Sequence, residues 1–223
     1  MREIFSRLLG RRPESDKEKV VAPEKGFERA EKKLMARITL MRHMEYEKFQ
    51  LDYPLKEGEA AKARVIGEEL ASKGIIRMGG HSSELRAKET AHAVGEGMQG
   101  VSGKKVKWAQ IPELDSGTSS HLYEKLARLV SHMAKKKEGD VPHFALVTHE
   151  SDMQQLLDDV FPERRNTEGS YVKNIPYGGR INVELYSPDQ DGLVSLHVDC
   201  QNPKMERTVR FDPSQKKLLV PEQ

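Results

Sequence analysis

The sequence predicts an α/β fold in which a mostly parallel central sheet is covered by helices on both faces, an α/β/α arrangement. Three observations carry this reading. From Ala36 onward, short apolar runs alternate with longer segments whose apolar residues recur at helical spacing. Two of the apolar runs stop on charged or titratable side chains: Arg37-Ile38-Thr39-Leu40-Met41 leads into Arg42-His43, and Phe144-Ala145-Leu146-Val147-Thr148 leads into His149. Buried parallel strands read this way when their C-terminal ends deliver chemistry to a crevice. Between them, Ser82-Ser83-Glu84-Leu85-Arg86-Ala87-Lys88-Glu89-Thr90-Ala91 reads as a strand end turning into a helix.

The elements follow in order. A strand over residues 37–42 precedes a helix over 56–73, with Ala61, Val65, Ile66 and Leu70 on its inward face and Gly74 as its stop. A short strand near 75–82, a helix over 84–97 and a strand near 105–111 come next. A helix over 120–137 turns Leu122, Leu126, Leu129 and Met133 inward. After the strand 144–148 come a helix over 151–161, a long loop over 162–179 marked by glycine and proline, and a terminal strand pair over 180–186 and 193–199. No internal repeat is visible.

Residues 1–35 differ in composition, and residues 36–223 are expected to form one domain. The stretch 11–33 is dense in Lys, Glu and Arg and poor in apolar residues, as expected of a flexible leader. Its start is the exception. Ile4, Phe5, Leu8 and Leu9 fall at helical spacing beside Arg2, Arg7, Arg11 and Arg12. Such a basic amphipathic start, residues 1–12, can lie on an anionic membrane or dock on a protein; the preferred reading is a frayed terminus, since three turns are marginal alone.

Composition narrows the function. Of 223 residues 32% are charged, yet the net charge is only +2, so no nucleic-acid partner is indicated. The single Cys200 cannot form an intramolecular disulfide, and the sequence has neither a signal peptide nor an apolar span of about 18 residues, so a cytoplasmic setting is expected. The eight histidines are scattered, without metal-ligand spacing, and neither a metal nor another cofactor is expected.

Two arginines and two histidines converging from three strand ends describe a pocket for a phosphoryl group. The planar fork of arginine donates to two oxygens and stays charged. A histidine attacks phosphorus only as the neutral imidazole, so its other ring nitrogen needs an acceptor, while Arg42, Arg86 and a protonated His149 supply positive charge.

At these residues the chain resembles the histidine phosphatase superfamily, also called phosphoglycerate mutase-like. The resemblance covers about residues 37–200. It rests on Arg42-His43-Met44-Glu45, on Asp52-Tyr53-Pro54-Leu55-Lys56-Glu57-Gly58, on the stretch from Ser83 to Ala91, and on Thr148-His149. It implies the three-layer phosphoglycerate mutase-like sandwich and a phosphatase in which His43 becomes phosphorylated and Arg42, Arg86 and His149 hold the phosphate. It further implies an acidic proton donor, with Glu113 and Glu150 as the candidates; Glu150 also reads as a helix N-terminal charge. The substrate is then a phosphorylated small molecule or phosphoprotein.

Two departures from the family pattern matter. The glycine after the nucleophile is replaced by Met44, which can narrow the pocket, retune the substrate, or mark a catalytically weakened phosphate-binding or regulatory member. The separation of His43 from Pro54 is short, which brings the chain nearest in pattern to the small phosphohistidine phosphatase and broad-specificity phosphatase branch, with a phosphomutase as a third reading. Specificity is expected from residues 45–53, 115–121 and 162–179. His81 is read as structural or pocket-lining, and Trp108, Tyr171 and Tyr177 as packing residues. Oligomeric state is not legible.

Overall fold

The computed structural model describes residues 32–48, 52–74, 76–111, 114–115, 123–124, 126–128, 141–162, 175–201 and 204–220. They fall in the unit Lys32–Gln223. In chain order the elements are β1 (Leu34–Arg42), α1 (Glu59–Lys73), β2 (Ile76–His81), α2 (Leu85–Ser102), β3 (Lys107–Gln110), β4 (His143–Thr148), α3 (Glu150–Val160), β5 (Arg180–Tyr186), β6 (Val194–Gln201), β7 (Lys204–Asp212) and β8 (Lys217–Leu219). The predicted helix over 120–137 is helical at Tyr123, Glu124, Leu126, Ala127 and Arg128, and the rest of it lies outside the described residues.

All eight strands join one sheet in the order β3-β2-β4-β1-β5-β6-β7-β8. The sheet is mixed rather than mostly parallel. The β2–β3, β2–β4 and β1–β4 pairs are parallel, whereas β1–β5, β5–β6, β6–β7 and β7–β8 are antiparallel. The correction comes from the C-terminal third, where short connections return the chain beside itself and leave no length for a helical crossover.

The pleat of β1 divides the interior in two. Ile38 and Leu40 pack with Leu126 and with Met153, Leu156 and Leu157 of α3. Met41 packs instead with Ala63 and Leu70 of α1 and with Val94 and Met98 of α2. The inward face of α1 also differs from expectation: Glu59, Ala63, Gly67 and Leu70 are buried, while Ala61 and Val65 are exposed. The reason is close contact with α2. A Cβ built on Gly67 would lie 2.1 Å from the Val94 carbonyl oxygen, and one on Gly97 would lie 2.0 Å from that of Arg64. Gly97 therefore marks a helix crossing instead of a helix end, and α2 runs on to Gly103, whose φ of 66° suits a terminating glycine.

This framework positions the site. β1 and β4 lie side by side and parallel, with Arg42 opposite Thr148, so the residues that follow each strand emerge together. β2 joins the other side of β4, with His81 opposite Val147, and hands the chain to α2. Three strand ends and two helix starts thus meet at one crevice, where ligands bind in open α/β sheets.

Candidate active site

Arg42 and His43 leave β1, Arg86 lies in the first turn of α2, and His149 is the residue before α3. The structure brings these four together. The rings of His43 and His149 are 5.2 Å apart, and Arg86 Nε–H donates to His43 Nε2 at 3.1 Å. The backbone helps, because His43 N–H donates to the Thr148 carbonyl at 3.1 Å and ties the two strand ends together.

The ring of His43 is oriented as a nucleophile requires. Its Nδ1–H donates to the Met44 carbonyl at 2.8 Å, which leaves the Nε2 lone pair facing Arg86. His43 is only 4% exposed. Burial is the main force lowering its pKa from 6.5 to about 3; the Met44 hydrogen bond opposes this, and His149, Arg86 and Arg42 add to it. The imidazole is neutral throughout the physiological range.

His149 is buried as well, and its Nε2 lies 2.9 Å from Ser82 Oγ and 3.3 Å from Glu84 Oε1. Beside a carboxylate, Nε2 carries the proton and donates. Burial lowers the pKa of His149 below 6.5, with Glu84 opposing and Arg86 reinforcing the shift. Burial thus works against the protonated His149 expected from the sequence, and the Glu84 carboxylate works for it.

Arg42 is held from three sides. Its Nη2 pairs with Glu150 at 2.9 Å, its Nη1 donates to the Ile175 carbonyl, and its guanidinium lies 4.1 Å from the Tyr177 ring centroid. Its Nε is buried and has no hydrogen-bond acceptor among the described residues. Glu150, a candidate donor, is thus engaged with Arg42 at the start of α3. Glu113, the other candidate, lies outside the described residues, as does Tyr171. His81 is buried at the end of β2 and donates from Nδ1 to the Ser82 carbonyl at 2.8 Å.

Met44 does not fill the pocket. It is 3% exposed and packs in the cluster of Met41, Ala63 and Leu70, and its sulfur would lie 3.0 Å from a Cβ built on Gly178. Its N–H donates to Thr90 Oγ1, which in turn donates to the Arg86 carbonyl, so the residue after the nucleophile is tied to the turn that carries Arg86.

No protein-family model and no curated protein sequence matches the chain. Solved structures do match it. One is a protein histidine phosphatase SixA complexed with tungstate, at 16% identity over 81% of this chain and 99% of that one, with a TM-score of 0.50. Another is a mycobacterial glucosyl-3-phosphoglycerate phosphatase, at 16% identity over 74% of this chain and 97% of that one, with a TM-score of 0.51. This chain has the fold of the histidine phosphatase superfamily. A third match, mycobacterial hydrolase 1, has a TM-score of 0.52 and 16% identity over 76% of this chain and all of that one.

Within the histidine phosphatase fold, this site holds groups that sequence reasoning missed. Glu84 pairs with Arg86 and approaches His149, so a carboxylate of the chain itself sits between two of the groups expected to hold phosphate. Asp115, in a segment expected to set specificity, accepts from the N–H and the hydroxyl of Ser83, each at 2.6 Å. Tyr177, read as a packing residue, lies 5.8 Å from His43 and beneath Arg42. Tyr46, in the segment 45–53 expected to set specificity, lies 5.3 Å from His43 and 4.6 Å beneath Arg86. The order of the motifs signalled the phosphate groups; nothing in sequence spacing signalled rings brought in from separate loops.

Proposed function

We propose that this protein is a metal-independent phosphatase that hydrolyses phosphorylated small molecules or phosphoproteins through a phosphohistidine on His43. The domain is read as residues 36–223, in the three-layer α/β/α arrangement of its fold, preceded by a leader over residues 1–35. One observation carries the reading: a neutral imidazole with Nδ1 bound to a carbonyl and Nε2 facing a guanidinium. Other phosphatases have this fold, which supports the class of chemistry.

Arg86 Nε–H leaves His43 Nε2 for a phosphoryl oxygen, the freed lone pair attacks phosphorus in line while the bond to the leaving oxygen breaks, and an acid, Glu113 or Glu150, gives that oxygen its proton. The ring becomes cationic as the N–P bond forms, and the Met44 carbonyl opposite Nδ1–H stabilises that charge. Arg42, Arg86 and His149 hold the transferring oxygens. Water then attacks phosphorus, the conjugate base takes its proton, the N–P bond breaks and phosphate leaves.

Glu84 favours a second reading, a phosphate-binding or regulatory protein with weak turnover, because a phosphoryl group must displace this carboxylate from Arg86 and His149. A phosphomutase is a third. The experiment is to trap phosphate on the full chain during exposure to a phosphomonoester. Acid-labile phosphate on wild type that is absent from His43→Ala, with release of inorganic phosphate, supports the phosphatase. Reversible binding without acid-labile phosphate favours the second reading, and an isomerised ester favours the third.

A further inference from the structure

The mouth of the site is aromatic, and its three rings do different work. Tyr177 lies under Arg42 and Tyr46 under Arg86, so a face of each supports a guanidinium. Tyr53 stands apart. Its ring is 5.8 Å from Tyr46 in an edge-to-face arrangement and 5.7 Å from the Arg86 guanidinium carbon, yet it remains 46% exposed.

Its backbone is also held against preference. Residues 45–48 and 52–56 run antiparallel, with a bridge between Tyr46 and Leu55 and a hydrogen bond of 2.8 Å from Glu47 N–H to the Pro54 carbonyl. Leu55 N–H donates to Glu89 of α2 at 2.8 Å, which anchors this arm beside Arg86. Within it, Asp52 and Tyr53 have φ of 65° and 50°, a left-handed conformation that side-chain-bearing residues rarely adopt. The strain brings no core burial, since Tyr53 belongs to no hydrophobic cluster. Its result is an exposed ring beside the arginine that holds phosphate.

We propose that the substrate carries its phosphoryl group on a planar aromatic ring, which packs against Tyr53, itself braced by Tyr46. This rests on the reading of Arg42, His43, Arg86 and His149 as a phosphate site. A ring joined to phosphorus through one bridging atom leaves the phosphate at Arg86 and continues along the wall that Tyr53 forms. Ring-on-ring contact there adds offset or edge-to-face attraction that an aliphatic group of equal size lacks.

The test is calorimetric titration of the full chain with inorganic phosphate, benzylphosphonate and cyclohexylmethylphosphonate. In both phosphonates one methylene stands in for the bridging oxygen, so neither is hydrolysed there, and their rings are of similar size but differ in planarity. Benzylphosphonate should bind about three- to tenfold tighter than cyclohexylmethylphosphonate, the scale of one aromatic pair. Tyr53→Leu should bring that ratio near one, and Tyr53→Phe should keep it. Equal binding of the two phosphonates to wild type overturns the inference, provided phosphate binds; absence of phosphate binding overturns the reading of the site beneath it. If Tyr53→Leu weakens all three ligands by one factor, Tyr53 serves only to brace Arg86 and the inference also fails.

Discussion

At the scale of single residues, charge and burial are set against each other around His43. Arg86 is the group that couples them, since it touches the nucleophile, stacks on Tyr46 and pairs with Glu84. Arg86→Ala should lower turnover by roughly a hundredfold or more, about 3 kcal/mol, the scale of losing one preorganised donor to a transferring oxyanion. Arg86→Lys should recover only part of this, because an ammonium lacks the planar fork that donates to two phosphoryl oxygens at once. Steady-state kinetics on a soluble phosphomonoester checks both. The depressed pKa of His43 also has a sign that can be worked through. The unfolded chain takes up a proton near pH 6.5 and the folded one only near pH 3, so between these values the unfolded state binds more protons and stability falls as pH falls. The loss is on the order of several kcal/mol once pH has dropped through that window. Urea unfolding of wild type and His43→Gln at a series of pH values should show a steeper acid loss in wild type, and parallel profiles would contradict it.

At the scale of elements, the close crossing of α1 and α2 decides where Arg86 stands. Gly67 and Gly97 let the two helices approach backbone to backbone, and both helices then pack on Met41 and Ala145. Gly97→Ala sets two effects in opposition. Alanine is better than glycine in a helix interior by about 1 kcal/mol. Its Cβ, however, would lie 2.0 Å from the Arg64 carbonyl, a backbone atom that cannot swing aside, and overpacking costs about 1–3 kcal/mol or more. We expect the second to win: thermal unfolding should come at lower temperature, with reduced turnover as the helices part and α2 carries Arg86 with it. The same crossing explains which elements were legible in sequence. β1, β4 and α3 were readable because apolar runs and helical spacing follow directly from burial. The buried face of α1 was not, since Ala63 and Gly67 face inward for lack of size while Val65, more apolar, is exposed. Hydrophobic spacing reports burial in a cavity of ordinary width, and this contact is narrower.

At the scale of the whole molecule, the mixed sheet divides labour between its two halves. The parallel half, β3-β2-β4-β1, ends at the candidate site, whereas β5 to β8 extend the core: Val183, Leu185, Leu196, Val198, Val209 and Phe211 share one cluster with α3. β7 was missed from sequence because six of its nine residues are polar or charged, as on an antiparallel sheet with one solvated face, and β8 because it is only three residues long. The alternation of Met205, Val209 and Phe211 as buried residues was there to be read, but Arg207 stands in the place of a fourth apolar residue. The beginning of the sheet was also placed too late. β1 starts at Leu34, and the Lys33 carbonyl accepts from Ser187 N–H at 2.8 Å, so a cut at residue 35 would remove sheet pairing. A chain starting at Lys32 is the proper test of the leader. Residues 11–31 are poor in apolar side chains and the apolar start is read as a frayed terminus, so the deletion should shift the unfolding midpoint by less than about 4 °C, the scale of 1 kcal/mol for a domain of this size. Turnover of a small soluble phosphomonoester should stay unchanged. A larger shift would mean that the leader contributes to the core and that the domain boundary is misplaced. If Ile4, Phe5, Leu8 and Leu9 with their neighbouring arginines form an anchor, the deletion should change association alone. The full chain should then co-sediment with anionic vesicles at low salt and be released at high salt, because arginine contacts to a charged surface are screened within a Debye length of about 10 Å at 0.1 M. Failure of the full chain to bind at low salt rejects a membrane role for residues 1–12.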